Sequence, residues 1–163
     1  MSPEPTGVVE RTPASRDLIL IRELPLTGDE LWSWVTESER LGRWFGTWSG
    51  PGRVGAEIEV TMTAEEGSPT SSGRIVACEP GRSYEVEVGD DHGEWHLILN
   101  VEEAGDGSKL VFTHRLGEEV ETGPVGAGWE YYLDRLVAAV AGGEMPDFDE
   151  YWPAMGPYYA ERG

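Results

Sequence analysis

Between Glu57 and Leu116 the chain repeatedly alternates apolar with acidic or polar residues, and this period of two constrains the fold more than any other feature. Ile58, Val60 and Met62 alternate with Glu57, Glu59 and Thr61, and Tyr84, Val86 and Val88 with Glu85 and Glu87. Trp95, Leu97, Leu99 and Val101 alternate with Glu94, His96, Ile98 and Asn100. Successive side chains of a strand point to opposite faces, so each segment reads as a half-buried strand with an acidic wet face. Five such strands are predicted, near 57–62, 71–78, 83–88, 94–103 and 108–116. The linkers Ala64–Pro69, Glu79-Pro80-Gly81, Gly89–Gly93 and Ala104–Gly107 are short enough for hairpins, which makes neighbouring strands antiparallel.

Upstream, Leu18-Ile19-Leu20-Ile21 reads as a strand closed by Pro25. Thr27-Gly28-Asp29-Glu30 has the spacing of a capping box and starts a helix running to about Glu37, with Leu31, Trp34 and Val35 on one side and Trp32 flanking them. A second short helix is predicted over Ser38–Phe45, ended by Gly46, and Ser49-Gly50-Pro51-Gly52 reads as a turn. After Gly123-Pro124 the apolar stripe Trp129, Tyr132, Leu133, Leu136, Val137 and Val140 marks one long helix, stopped by Gly142-Gly143. That helix is the only predicted element large enough to cover the apolar face of the sheet. The expected architecture is α+β: a curved antiparallel sheet wrapped around a long C-terminal helix, with two short helices after the first strand.

Residues 1–16 contain Pro3, Pro5 and Pro13 and no periodicity, and are read as a disordered leader. The domain is expected over 17–143. Residues 144–163 hold five of the chain's sixteen aromatic residues, while Pro146, Pro153 and Pro157 exclude a continuous helix. This segment is expected to be a strap packed on the domain.

A chain of 163 residues is one domain by length, and its formal net charge of −19 repels a phosphate backbone, so no nucleic-acid partner is expected. No apolar run approaches the roughly 20 residues that span a bilayer, and the N-terminus has no signal-peptide core. No membrane role is expected, and the protein is expected to be cytoplasmic. Cys78 is the single cysteine and is read as a small buried side chain in a strand. A homodimer is compatible with this composition.

Three histidines invite a metal site. His92 falls in a turn, while His96 shares the parity of Asn100 and His114 that of Leu110 and Phe112, so the two strand histidines point to opposite faces. No metal is expected. His114, on the inner face, is the candidate catalytic residue, because an imidazole there can bond a ligand or transfer a proton. A structural histidine bonded to backbone or to a tyrosine hydroxyl satisfies the same pattern. Glu118, Glu119 and Glu121 form an acidic cluster ahead of the long helix, where the macrodipole stabilises carboxylates and a catalytic carboxylate is the alternative. Neither a G-x-S-x-G elbow nor a G-x-G-x-x-G or P-loop pattern occurs, so no serine nucleophile and no cofactor are expected. The aromatic residues Trp44, Phe45, Trp48, Trp95, Phe112, Trp129 and Tyr132, with His114 and Leu133, form the candidate ligand-contacting set.

Several pieces, in order, resemble a known family: Asp29-Glu30-Leu31-Trp32, Leu41-Gly42-Arg43-Trp44-Phe45-Gly46, Arg53-Val54-Gly55-Ala56, Gly73-Arg74-Ile75-Val76, Leu110-Val111-Phe112-Thr113-His114 and Gly128-Trp129. Over about residues 18–141 the chain resembles the activator of heat-shock protein 90 ATPase homologue-like proteins of the START-like (Bet v 1-like, SRPBCC) superfamily. The resemblance implies a helix-grip fold enclosing a cavity for an apolar or aromatic small molecule between sheet and long helix. It implies no particular reaction. The eukaryotic chaperone activator that names the family carries a further N-terminal domain that does not fit here, so a chaperone partner is not expected. Two alternatives to a binding module stand at this point: a cyclase, dehydratase or hydrolase-type enzyme using His114, and a co-chaperone-like or regulatory interaction protein acting through its acidic surface.

Overall fold

The computed structural model describes residues 3–13, 15–63, 67–90, 93–117 and 120–162. Its centre is an eight-stranded antiparallel sheet in the order β1-β2-β8-β7-β6-β5-β4-β3. The strands are β1 (Val8–Arg11), β2 (Arg16–Leu24), β3 (Thr47–Ser49), β4 (Glu57–Thr61), β5 (Thr70–Glu79), β6 (Ser83–Asp90), β7 (Gly93–Ala104) and β8 (Gly107–Leu116). The alternation read from the sequence is realised most fully in β8, where Ser108, Leu110, Phe112, His114 and Leu116 are buried.

Helix α1 (Gly28–Thr36) opens with the capping box: Thr27 Oγ1 accepts from the Glu30 amide, and Glu30 Oε1 accepts from the Thr27 amide. Its buried side, Leu31, Trp34 and Val35, packs on β7 and β8. The next helix, α2 (Ser38–Leu41), is shorter than the sequence predicts, because turns continue from Gly42 to Phe45. Helix α3 (Thr122–Ala141) ends on Gly142 in the left-handed region (φ 71°), a backbone conformation glycine adopts without a Cβ penalty. Beyond it lie a 3₁₀ turn at Phe148–Glu150 and helix α4 (Gly156–Arg162), with Tyr151, Met155 and Tyr159 buried. Among the described residues no helix is long and apolar enough to cross a membrane.

Two strands depart from the sequence reading. Thr47-Trp48-Ser49, placed between helix and turn, pairs with Thr61, Val60 and Glu59 of β4. Within the expected leader, β1 pairs with β2 from Val8↔Ile19 to Arg11↔Arg16. What orders that segment is remote in sequence. The amides of Thr6 and Gly7 and the Thr6 hydroxyl all donate to the carboxylate of Glu130, which is fully buried in α3. The same carboxylate accepts from Tyr159 of α4 and pairs with Arg22 of β2 at 2.7 Å. One turn along α3, Asp134 accepts from Arg22 Nε at 3.0 Å and from the Tyr151 hydroxyl at 2.7 Å. Burial alone would raise the Glu130 pKa, but the hydrogen bonds from Tyr159, Arg22 and Thr6 outweigh it and hold the carboxyl below its ordinary value. Both ends of the chain are thereby fastened to one turn of α3.

Candidate functional site

Beside α3, on the concave side of the sheet, lies a pocket of about 310 Å³. Its floor is Ile58 and Val60 of β4, Ile75 of β5, Val86 and Val88 of β6, Leu97 and Leu99 of β7, and Phe112 of β8. Trp32, Val35 and Thr36 of α1, Leu41 of α2, and Trp44, Phe45 and Trp48 close it from above. Trp129 forms the end wall and, among the described residues, is the lining residue from α3. The pocket is thus set between the sheet and the α1–α2 pair, whereas the sequence placed the cavity between the sheet and the long helix. Side chains of α1 and α2, with Trp44, Phe45 and Trp48 from the turns and β3 that follow, face residues of β4–β8 across the pocket.

Aromatic packing builds the walls. Phe45 and Trp129 stack with centroids 5.9 Å apart and planes 19° from parallel, and Phe112 lies 4.4 Å from Trp129. Trp32 meets Tyr84 edge-on at 5.9 Å. Near the rim, Gly52 lies against the Trp48 ring so closely that a Cβ would stand 2.9 Å from it. Gly52, Cys78 and Pro80 are exposed and frame the mouth.

The polar atoms of these aromatics have a common destination. The last carbonyls of a helix have no partner within it. Here Trp34 O accepts from Trp44 Nε1 at 2.9 Å, Val35 O from the Tyr84 hydroxyl at 2.8 Å, and Thr36 O from Trp48 Nε1 at 2.6 Å. Three pocket side chains therefore cap three successive carbonyls of α1, and their hydrogens are turned away from the pocket. Burial, with a smaller contribution from Cys78, raises the Tyr84 pKa, so the hydroxyl keeps its proton.

Of the candidate set, the fold brings Trp44, Phe45, Trp48, Phe112 and Trp129 into the pocket wall and leaves Trp95, His114, Tyr132 and Leu133 out of it. His114 is buried behind Trp129, whose Nε1 donates to His114 Nδ1 at 3.0 Å. Trp95 packs on His114 and Trp129 at 5.5 and 5.7 Å. Tyr132 packs edge-on against Phe45 at 5.4 Å, and Leu133 is fully buried in the core. All four belong to the layer that supports the wall. Cys78 is exposed instead of buried. A register shift between Ile75 and Ala77 precedes it, and it pairs with Tyr84 at the open end of β5, where it lines the mouth.

Sequence reasoning missed Trp32, Val35, Cys78 and Tyr84 as lining residues. Tyr84 shared the parity of Val86 and Val88, and Trp32 flanked the buried stripe of α1, so both signals were present. His96 lies on the convex face, in register with Arg115 and Glu87, with Nε2 2.7 Å from Glu85 Oε2. His92, Glu118 and Glu119 lie outside the described residues. Glu121 precedes α3 without a side-chain capping bond. Among the described residues no three His, Cys, Asp or Glu side chains gather where a metal ion could be held.

The crystal structure of CalU16 from Micromonospora echinospora is 27% identical, with a TM-score of 0.75 over 97% of this chain and 96% of that one. A protein encoded by gene BPP1335 of Bordetella parapertussis shares the fold at 21% identity, TM-score 0.73, over 100% of this chain and 95% of that one. DynU16, from the dynemicin biosynthetic locus, matches 79% of this chain and 48% of its own at 21% identity and a TM-score of 0.68. Among curated proteins, none matches. The family model described as Activator of Hsp90 ATPase homolog 1-like protein matches residues 25–141, which is most of the sheet together with α1 and α3. With its helix-grip fold and that match, the chain belongs to the Activator of Hsp90 ATPase homolog 1-like family of the START-like superfamily.

Proposed function

We propose that this protein is a small-molecule binding module that holds an apolar or aromatic ligand in the pocket between the sheet and the α1–α2 pair. The observation that carries the reading is the pocket itself: about 310 Å³ of space walled by aliphatic and aromatic side chains, with the N–H or O–H groups of Trp44, Trp48, Tyr84 and Trp129 engaged with the protein. A concave, largely apolar, preformed site of this size is the usual form of a small-ligand site. Such a site gains affinity chiefly by removing apolar surface from water. A His114-centred reaction draws no support from the geometry, because Trp129 stands between that imidazole and the pocket.

Native mass spectrometry of the purified protein, with organic extraction of whatever accompanies it, tests the proposal alongside thermal unfolding with a panel of aromatic and lipid compounds. A bound apolar molecule, or a clear rise in Tm with one compound class, is expected. An empty protein whose Tm responds to none of the panel overturns it.

A further inference from the structure

Resting on that binding reading, the chemistry of the wall narrows the ligand. Seven lining side chains carry a polar hydrogen: Trp32, Thr36, Trp44, Trp48, Cys78, Tyr84 and Trp129. Five of these donate within the protein, four to carbonyls of α1 and Trp129 to His114. Among the described residues no Lys, Arg or His lines the pocket, and the chain as a whole carries a formal charge of −19. An ionised carboxylate inside would lose its water and meet no cation and none of those five donors, with only the Trp32 indole N–H and the weak Cys78 thiol left to offer a hydrogen bond, while the surrounding field lowers the local concentration of anions. A flat uncharged ring system meets none of these penalties and contacts seven aromatic side chains.

We infer that the pocket takes uncharged aromatic molecules and rejects the carboxylates of the same ring system, and that ligand passes the rim of Gly52, Cys78 and Pro80. The rim supplies its own reporter, since Cys78 is the chain's single cysteine and its thiol is exposed at the mouth. An occupant seated in the pocket covers that thiol.

The test uses the full chain and three probes of one ring system at neutral pH: pyrene, 1-pyrenemethanol and 1-pyrenecarboxylate. Affinity is read by fluorescence titration, and access to the rim by the rate at which iodoacetamide, a neutral reagent, alkylates Cys78. Pyrene and pyrenemethanol should bind and slow alkylation several-fold at saturation, while the carboxylate binds about tenfold more weakly or worse than the alcohol. A carboxylate that binds as well as the alcohol overturns the charge selection and leaves the binding reading standing. An alcohol as weak as the carboxylate also overturns it, since size and not charge would then discriminate. Saturating ligand with unchanged Cys78 alkylation overturns the assigned portal. Failure of all three probes removes the inference and counts against the binding reading as well.

Discussion

The indole N–H of Trp129 donates to His114 Nδ1 across 3.0 Å in the interior, which makes the imidazole an acceptor there and leaves its proton on Nε2. Protonation would set two donors against each other. Burial, and next the nearby charge of His96, bring the His114 pKa down to about 4 from its ordinary 6.5. In that window the unfolded chain holds the proton and the folded one does not. The contribution of His114 to stability is therefore fully present above 6.5, declines as pH falls through the window and is gone below about 4. The full decline amounts to about 3 kcal/mol. His114→Gln offers Trp129 an amide oxygen that does not titrate, and should lose less stability than the wild type between about pH 7.5 and about pH 5 by urea unfolding. Equal losses in both proteins would show that another group titrates.

The carbonyls of Val35 and Thr36 depend on Tyr84 and Trp48 for their hydrogen bonds. Tyr84→Phe and Trp48→Phe each leave one of these carbonyls without its partner. Each should lower stability by about 1–2 kcal/mol, and unfolding of the two variants and their double mutant measures the coupling through α1. Losses within a few tenths of a kcal/mol would mean that water replaces the side-chain caps.

How much of this was legible beforehand depends on the range of the interactions. The strands β4–β8 and the start of α1 rest on local period and local capping, so Ile58, Val60, Leu110 and Thr27 declared their roles in the sequence. β1 has only Val8 and Val9 as a local signal, and its order depends on Glu130, which lies more than a hundred residues away. The site divided along similar lines. Aromatic density pointed to Trp44, Trp48, Phe112 and Trp129, but parity cannot tell a side chain that meets the pocket from one that backs it. His114 and Phe112 share a face and are two residues apart, yet only Phe112 reaches the pocket. Cys78 was misread because the register shift at Ile75/Ala77 carries no sequence mark and the period itself does not say where helical cover ends.

Glu130 tests the fastening of the termini. Its carboxylate receives the Thr6 and Gly7 amides, the hydroxyls of Thr6 and Tyr159, and Arg22, and its side chain is 1% exposed. A glutamine in its place offers one acceptor oxygen where two are needed and leaves Arg22 without part of its counter-charge. Glu130→Gln should cost about 3 kcal/mol in chemical unfolding. Residues 3–11 should become open to limited proteolysis in the variant, while pyrene affinity stays near that of the wild type because Glu130 is not part of the pocket wall. A variant as stable and as protease-resistant as the wild type would show that the strand pairing of β1 suffices alone.

Two glycines of α3 separate helix propensity from packing. A helical glycine is less favourable than alanine by about 1 kcal/mol, so Gly→Ala in a helix interior ordinarily stabilises. At Gly128 a Cβ would meet nothing within 4 Å, and Gly128→Ala should raise stability by up to about that amount. At Gly126 the added carbon would stand 2.3 Å from Cγ of the Tyr159 ring, a fully buried side chain held by its bonds to Glu130 and Gly7. Tyr158 also lies edge-on to the ring at 4.9 Å. Gly126→Ala should therefore destabilise by about 2 kcal/mol or more despite the better helix residue, because overpacking a filled contact outweighs propensity. Thermal unfolding of the two variants decides the matter. Opposite signs support the close seat of α4 on α3, whereas a rise in Tm for both would mean that α4 packs more loosely than the Gly126–Tyr159 contact requires.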